Sequence, residues 1–334
     1  MTRVLSGIQP TGQPQLGNYL GALQSWIALQ DTADAFYCVV DLHALTVPGE
    51  PADLRDSTMA MATLLLAAGL EPDRCTLFVQ SHVAAHSQLA WILECTASFG
   101  EMRRMTQWKD KSAKGGEEAA RLGLLAYPAL MAADILLYDT DRVPVGDDQR
   151  QHLELTRTLA ERFNHRYGQT FKVPDALIPE RSRGGRVMDL QVPTRKMSKS
   201  SESPQGTIFL FDEPKDIERK IKRAVTDADQ GVDAVRYDPT AKPGVSNLLG
   251  ILGTITGRSP ESVAADYTRY GPLKADTADA VVELLVPVQV RYRELASDPG
   301  AVAKLLRTGA DRANEVASAT AARADAAIGL LPPS

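Results

Sequence analysis

Strands and helices alternate along the first half of the chain, and this alternation constrains the fold more than any other feature. An apolar run at Val4-Leu5 leads into a turn, and further apolar runs at 35–40 and 76–80 flank a helical stretch at 52–68. Continuous apolar strands separated by helices are typical of a parallel sheet covered on both faces. We therefore predict an α/β protein whose doubly wound parallel sheet is joined to a smaller all-helical domain, with helices at 213–224, 245–256, 259–270 and 276–296.

The turn after the first predicted strand is rich in glycine and proline, and a helix follows it. Residues 6–12 form this turn, and the apolar residues beyond it keep helical spacing: Leu16, Leu20, Leu23 and Ile27. Gly17 and Gly21 lie one turn apart, where a ligand could approach the backbone, and free amides at a helix start attract phosphate. Tight packing of a helix on a strand explains the same glycines equally well.

One carboxylate, Asp134, interrupts the apolar face of the helix predicted at 122–137. A carboxylate is costly to bury without a partner, so Asp134 caps a backbone, pairs with a base or accepts a hydrogen bond from a ligand. His43 follows the second predicted strand, at the sheet edge where ligands bind, and is either a pocket residue or a structural histidine. His82 and His86 have metal-compatible spacing without an evident third ligand, so we treat them as structural and predict no metal site.

A lysine-rich loop lies in the middle of the chain, at Lys196-Met197-Ser198-Lys199-Ser200. Its ammonium and hydroxyl groups suit a polyphosphate, although a solvated basic loop has the same composition. Around it, residues 180–223 contain eleven Lys/Arg and seven Asp/Glu, a local excess of +4 in a chain of net charge −5. A second basic patch lies between 101 and 114. Any contact with nucleic acid must therefore be local.

Cysteine usage and hydropathy bear on the compartment. The three cysteines are odd in number and widely spaced, which argues against a disulfide framework and fits a reducing compartment. No uninterrupted apolar stretch approaches the ~18 to 20 residues that a membrane span needs. We therefore expect a cytoplasmic protein that does not insert into a membrane.

Three widely separated segments resemble class I aminoacyl-tRNA synthetases, and more narrowly the bacterial-type tryptophanyl-tRNA synthetases. They are residues 6–23, which hold a glycine/asparagine version of the HIGH element, residues 131–149, and the KMSKS loop at 196–200. The similarity continues through 242–249 and covers essentially the whole chain. It implies a Rossmann-like catalytic domain at 1–195, the KMSKS loop and a linker at 196–212, a helical tRNA anticodon-binding domain at 213–296, and a C-terminal helix at 297–334 that packs on the catalytic domain.

The resemblance also implies a reaction and its partners. ATP would activate L-tryptophan to tryptophanyl-adenylate with release of pyrophosphate, Mg²⁺ would share the phosphate charge, and tryptophan would then pass to tRNA(Trp). Catalysis would rest on positioning and electrostatics, without a covalent nucleophile. A homodimer is implied as well. The alternative from another class is a non-catalytic paralogue that binds tryptophan or RNA as a regulator.

Two sets of site residues follow from the resemblance. The ATP set is Gln9, Pro10, Thr11, Gly17, Asn18, Gly146, Asp147, Asp148, Val187, Lys196, Met197, Ser198, Lys199 and Ser200, and the residues acting on the reacting phosphates are Lys111, Lys196, Lys199, Gln9 and Asn18. The tryptophan set is Leu5, Val40, His43, Tyr127, Met131, Asp134, Ile135, Val143, Val145 and Gln149. Within it, the resemblance makes Asp134 the acceptor of the indole N–H.

The chain departs from the family pattern at three positions. Gln15 and Asn18 stand where the general HIGH signature has histidines, and asparagine is usual at the second of these in the tryptophan branch. Leu5 stands where that branch often has an aromatic residue. The last change alters the expected wall of the indole pocket.

Overall fold

The structure is a computed structural model that describes residues 1–115, 120–144, 146, 149–177, 186–198, 204–231 and 233–332. The side chains of residues 111 and 113–115 lie outside this description. Six predicted site residues are affected: Val145, Asp147, Asp148, Lys199 and Ser200 lie outside the described residues, as does the side chain of Lys111. Their assignments stay predictions.

A parallel sheet organises the first half of the chain, as predicted. Its five strands are β1 (Arg3–Ile8), β2 (Asp34–Val39), β3 (Thr76–Val79), β4 (Arg142–Pro144) and β5 (Asp175–Leu177), in the order β3-β2-β1-β4-β5. The last strand is short and half polar, and the hydrophobic pattern did not reveal it. Strand order reverses beside β1, which creates a crevice between the carboxyl ends of β1 and β4.

Helices cover both faces of the sheet and form the second half of the chain. They are α1 (Leu16–Asn18), α2 (Gln24–Leu29), α3 (Asp41–Ala44), α4 (Pro51–Ala68), α5 (Ala85–Glu94), α6 (Phe99–Arg104), α7 (Thr106–Gly115), α8 (Leu122–Leu136), α9 (Arg150–Tyr167), α10 (Pro214–Lys222), α11 (Pro243–Thr256), α12 (Pro260–Ala264), α13 (Tyr270–Ala296) and α14 (Pro299–Ile328). Among the described residues, no helix combines the length and apolar character needed to cross a membrane.

Successive strand residues send their side chains into two separate hydrophobic cores, as the pleat of a strand requires. Val4 and Tyr37 belong to the core that α4 shares with α11 and α13, so the helical second half packs directly on one face of the sheet. Leu5 and Phe36, their immediate neighbours in sequence, belong to the opposite core, formed with α5, α8 and α9. This second core surrounds the crevice.

The C-terminal helix α14 lies against strand β3. A Cβ atom added to Gly309 would lie 1.8 Å from the carbonyl oxygen of Leu77, so only glycine allows this approach. Farther along α14, Arg312 donates to the carbonyl of Pro72 at 2.7 Å, and Arg323 pairs with Asp139 at 2.6 Å. The helix therefore closes the edge of the sheet.

Two helices differ from the sequence-based expectation. The helix predicted from the spacing of apolar residues after Leu16 contains a π-helical turn at Tyr19–Leu23, directly after α1. The helix predicted at 259–270 ends at Ala264, where Arg258 pairs with Asp266 at 2.6 Å and ties the chain into a turn before α13 begins. Side-chain bonds to a neighbouring segment decided this boundary, and they have no periodic signature.

Candidate active site

A cavity of about 380 Å³ opens in the crevice between β1 and β4. All described members of the predicted tryptophan set line it: Leu5, Val40, His43, Tyr127, Met131, Asp134, Ile135, Val143 and Gln149. Gln9 of the ATP set also lines it, together with residues outside both predicted sets: Ser6, Gly7, Cys38, Thr46, Gln107 and Pro144. Apolar side chains therefore share this cavity with several polar groups that could orient a small molecule.

Asp134 is buried at this cavity and holds a dense set of hydrogen bonds. His86 Nδ1 lies 2.6 Å from its Oδ1, and His43 Nε2 lies 2.8 Å from its Oδ2. The amide nitrogen of Gln80 donates to both oxygens, at 2.7 and 2.9 Å. Of the three interpretations of Asp134, the structure therefore confirms pairing with a base.

The surroundings of Asp134 keep it ionised. Burial by itself raises the pKa of this carboxyl group, but the adjacent His86 and the hydrogen bonds from His43 and His86 outweigh burial and hold the pKa well below its usual range. An ionised carboxylate accepts hydrogen bonds and donates none. The cavity therefore presents a permanent acceptor to a ligand with an N–H or O–H group.

His86 is fixed on its far side by a buried tyrosine. Its Nε2 lies 2.8 Å from the hydroxyl of Tyr138, and both side chains are fully buried. Burial, followed by the nearby Cys38 and Asp134, raises the pKa of the Tyr138 hydroxyl, which therefore stays protonated. Because an ionised carboxylate only accepts, His86 donates its Nδ1–H to Asp134, while its Nε2 lies beside the Tyr138 hydroxyl.

Gln80 connects two elements of the site, although the sequence did not suggest it. Its amide nitrogen binds Asp134 on α8, and its carbonyl oxygen accepts the backbone N–H of Leu42 at 3.1 Å, at the start of the short helix α3 that carries His43. Gln80 is completely buried. It therefore fixes the positions of His43 and Asp134 relative to each other.

Tyr127 forms the opposite wall of the cavity. Its hydroxyl lies 2.6 Å from Nε2 of the buried His152 on α9, and its ring makes an edge contact with the ring of His43 at 5.9 Å between centroids. Burial raises the pKa of the Tyr127 hydroxyl to about 12. The phenol is thus a neutral group held in place by a histidine that sequence reasoning missed.

The described members of the ATP set do not share one cavity. Gly17, Asn18, Val187 and Met197 gather instead around the buried Gln15. A Cβ on Gly17 would lie 3.5 Å both from Gln15 Oε1 and from Val187 Cβ. The side chain of Asn18 accepts the Gln15 backbone N–H at 3.1 Å.

The other described members of the ATP set occupy different places. Pro10 and Thr11 line a second cavity of about 630 Å³, which is bordered by the segment 44–59. Gly146 and Lys196 are exposed, and Ser198 accepts a hydrogen bond at its carbonyl from Thr207 Oγ1 at 3.0 Å. The turn at 9–11 therefore runs from the first cavity, which Gln9 lines, to the second cavity, which Pro10 and Thr11 line.

One lysine of the basic stretch at 180–223 is not available to a polyanion. Lys220 is buried, and its ammonium group donates to the carboxylate of Asp212 at 2.6 Å and to the carbonyl of Thr207 at 2.8 Å. Sequence counts included this lysine in the local positive excess. The structure assigns it to the support of the chain that follows the KMSKS loop.

Comparisons with known proteins show the family of the chain. The family model for class I tRNA synthetases (W and Y) matches residues 1–286. A tryptophan–tRNA ligase from Corynebacterium glutamicum is 54% identical over 333 residues, covering 99% of this chain and 95% of that protein. The solved tryptophanyl-tRNA synthetase from Mycoplasma pneumoniae superposes with a TM-score of 0.90 at 37% identity, covering 99% and 98%. The synthetase from Campylobacter jejuni, complexed with ADP and tryptophan, gives 0.82 at 31% identity, covering 98% and 100%.

Proposed function

The chain belongs to the class I tRNA synthetases for tryptophan and tyrosine, and from this premise we infer that it is a tryptophan–tRNA ligase. It activates L-tryptophan with ATP to tryptophanyl-adenylate and pyrophosphate, and it then transfers tryptophan to tRNA(Trp). Relatives that are 54% identical over nearly the whole chain are tryptophan–tRNA ligases, which favours catalysis over a regulatory paralogue.

A buried, ionised carboxylate in the wall of the cavity is the observation that carries this assignment. Indole is apolar over most of its surface and has one N–H donor, which Asp134 would accept between walls formed by Val40, Ile135 and Val143. A site that commits a buried acceptor to one N–H can reject an analogue lacking it by ~10⁴ to 10⁵. This selectivity arises because a site built around a buried acceptor matches a ligand that carries the N–H better than one that lacks it.

The activation step needs no nucleophile from the protein. The tryptophan carboxylate attacks the α-phosphorus of ATP, the bond to the bridging oxygen breaks, and pyrophosphate leaves with the electron pair. Negative charge accumulates on the phosphate oxygens, so the protein contributes by holding the reactants and neutralising this charge. The amide of Gln149 and the hydroxyl of Tyr127 line the cavity as partners for the amino group.

We assign ATP to the turn at 9–11, to Gly17 and Asn18, and to the KMSKS loop. The gathering of Gly17, Asn18, Val187 and Met197 around one buried glutamine supports this assignment. Lys111, Lys196 and Lys199 are the proposed cations for the leaving pyrophosphate. Mg²⁺ enters with ATP, whose phosphate oxygens are the hard ligands that this cation prefers.

We assign tRNA binding to the helical part of the chain and the reaction to the cytoplasm, where tRNA is charged. In this division residues 1–195 form the catalytic domain, 196–212 the loop and linker, 213–296 the tRNA-binding domain and 297–334 a supporting helix. The packing of α13 on α4 and of α14 on β3 supports a firm connection between the helical part of the chain and the catalytic domain. Lys215 and Arg223 are exposed cations on or beside α10 and suit phosphate contacts.

We propose that the protein is a homodimer whose interface includes three exposed apolar side chains, Trp91 on α5, Phe99 on α6 and Leu122 on α8. These side chains are 68%, 66% and 76% exposed. Large apolar side chains this exposed are costly in water and mark protein interfaces when they cluster. A second copy of the chain is the proposed occupant, because a symmetric interface uses the same patch on both subunits.

Tryptophan-dependent exchange of pyrophosphate into ATP tests the proposed function. The purified protein with Mg²⁺ and ATP should support exchange with tryptophan and far less with tyrosine, which lacks the indole N–H. Charging of tRNA(Trp) should follow with the same protein. Absence of exchange with a folded preparation would refute the assignment.

A further inference from the structure

A buried hydrogen bond joins the two nucleotide-binding segments of the chain. The side-chain amide of Gln15, just before α1, donates to the backbone carbonyl of Met197 at 2.7 Å, across 182 residues of sequence. We propose that Gln15 is a positioning residue for adenylate formation, which holds the segment Lys196–Ser198 in register with the start of α1. This proposal rests on the proposed function for its substrate, ATP.

Gln15 lies where three segments meet. Its neighbours bind the chain after the loop, since Leu16 N–H donates to the Ile208 carbonyl at 2.9 Å and Leu210 N–H donates to the Pro14 carbonyl at 3.0 Å. On the other side, Met197 N–H donates to the Val187 carbonyl at 3.0 Å. The side-chain amide of Gln15 thus joins the segment after the first glycine turn to Met197 in the lysine loop.

Gln15 also fixes the group that follows it in the first signature. Its backbone N–H donates to the side-chain oxygen of Asn18 at 3.1 Å, so one residue orients Asn18 and the Met197 carbonyl at the same time. Asn18 and Lys196 are both among the residues proposed to act on the phosphates. A displacement of Gln15 therefore changes the distance between groups that must act on one ATP molecule.

The amide oxygen of Gln15 indicates that glutamine is not the most stabilising residue at this position. The side chain is 5% exposed, and its Oε1 has no hydrogen-bond partner among the residues that the structure describes. A flipped amide would place this oxygen against the Met197 carbonyl, so the partner dictates the orientation. An unpaired buried oxygen is destabilising, and an apolar side chain of the same length would avoid that cost. We infer that the donor to Met197 is retained for positioning.

Replacing Gln15 by Met separates the two roles, because methionine keeps the length and removes both the donor and the unpaired oxygen. We expect a thermal midpoint equal to or above that of the wild type. We also expect kcat/KM for ATP in the exchange assay to fall about two- to tenfold, the worth of one neutral hydrogen bond. The KM for tryptophan should be unchanged.

Gln30 provides a matched control within the same chain. It is 4% exposed, its amide nitrogen donates to the Gly69 carbonyl at 3.0 Å, and its oxygen accepts the Glu71 N–H at 3.0 Å. Both atoms are paired and neither touches the site, so Gln30→Met should lower the thermal midpoint and leave both KM values and kcat unchanged. The two variants are therefore expected to behave in opposite ways.

Hydrogen exchange gives a readout that does not depend on activity. The Met197 amide should exchange faster in Gln15→Met than in the wild type and in Gln30→Met, because Met197 loses the hydrogen bond from Gln15 that helps to hold it in place. Wild-type kinetics and wild-type exchange at Met197 in Gln15→Met would overturn the proposal. A wild type without tryptophan-dependent pyrophosphate exchange would instead refute the proposed function. Hydrogen exchange at the Met197 amide would still report on the bond from Gln15.

Discussion

Replacing Asp134 by Asn tests the central feature of the site with little change in volume. The carboxylate receives hydrogen bonds from three side chains, His43, His86 and Gln80. Asparagine keeps one acceptor oxygen and turns the other into a donor. If two of the three bonds are lost at about 1.5 kcal/mol each, the lower value for bonds to charged groups, the free energy of unfolding falls by about 3 kcal/mol. Urea denaturation at pH 7 measures this loss.

The same substitution should impair tryptophan recognition selectively. A hydrogen bond from the indole N–H to a carboxylate is worth about 1.5 to 3 kcal/mol, so kcat/KM for tryptophan should fall by about 10- to 150-fold. The KM for ATP should change little, because no described member of the ATP set contacts Asp134. A folded Asp134→Asn protein with wild-type kcat/KM for tryptophan would refute the assigned role.

A substrate analogue supplies the matching control. An analogue with sulfur in place of the indole N–H keeps the size of the ring and removes only the donor. The wild type should use it far less well than tryptophan, whereas Asp134→Asn should discriminate weakly between them. Equal use of both compounds by the wild type would show that Asp134 does not read the N–H.

Four further predictions concern separate parts of the molecule. Changing the exposed Lys196 to Ala should slow adenylate formation more than tenfold, or more than ~1.4 kcal/mol of transition-state stabilisation, in single-turnover assays. Arg162 lowers the pKa of Glu101 to about 2, so Glu101→Gln should be less stable than the wild type at pH 7. In urea titrations this difference in stability should disappear as the pH falls from about 4 towards 2. Gly309→Ala should lower the unfolding free energy by about 3 kcal/mol, because its Cβ meets a strand carbonyl. Trp91→Glu should convert a dimer to a folded monomer in sedimentation experiments; a monomeric wild type would refute the interface.

The sequence predicted most of the fold because periodicity records burial. The runs at 35–40 and 76–80 became β2 and β3, and the helical stretch at 52–68 became α4. It missed β5, whose three residues are too few and too exposed to form a pattern. It also extended one helix through the turn at 265–269, where a pair between Arg258 and Asp266 ends it.

The candidate site, like the fold, could be predicted only in part from the sequence. Asp134 was recognisable in the sequence because a lone carboxylate on an apolar helix face needs a physical reason. Its supports were not recognisable, since His86 had only a spacing that suggested metal, and Gln80 had no pattern around it. Their contacts with Asp134 span 48 and 54 residues.

By itself, the sequence determined the parallel sheet, the glycine turn after its first strand, and the presence of an unusual buried acid and a lysine loop. These features depend on local spacing and on the cost of burying a charge, which a linear chain displays. Only the tertiary structure decided which donors hold Asp134 and that Gln15 binds Met197. Such bonds require atoms within about 3 Å of each other, and folding brings those atoms together without leaving any periodic trace in the sequence.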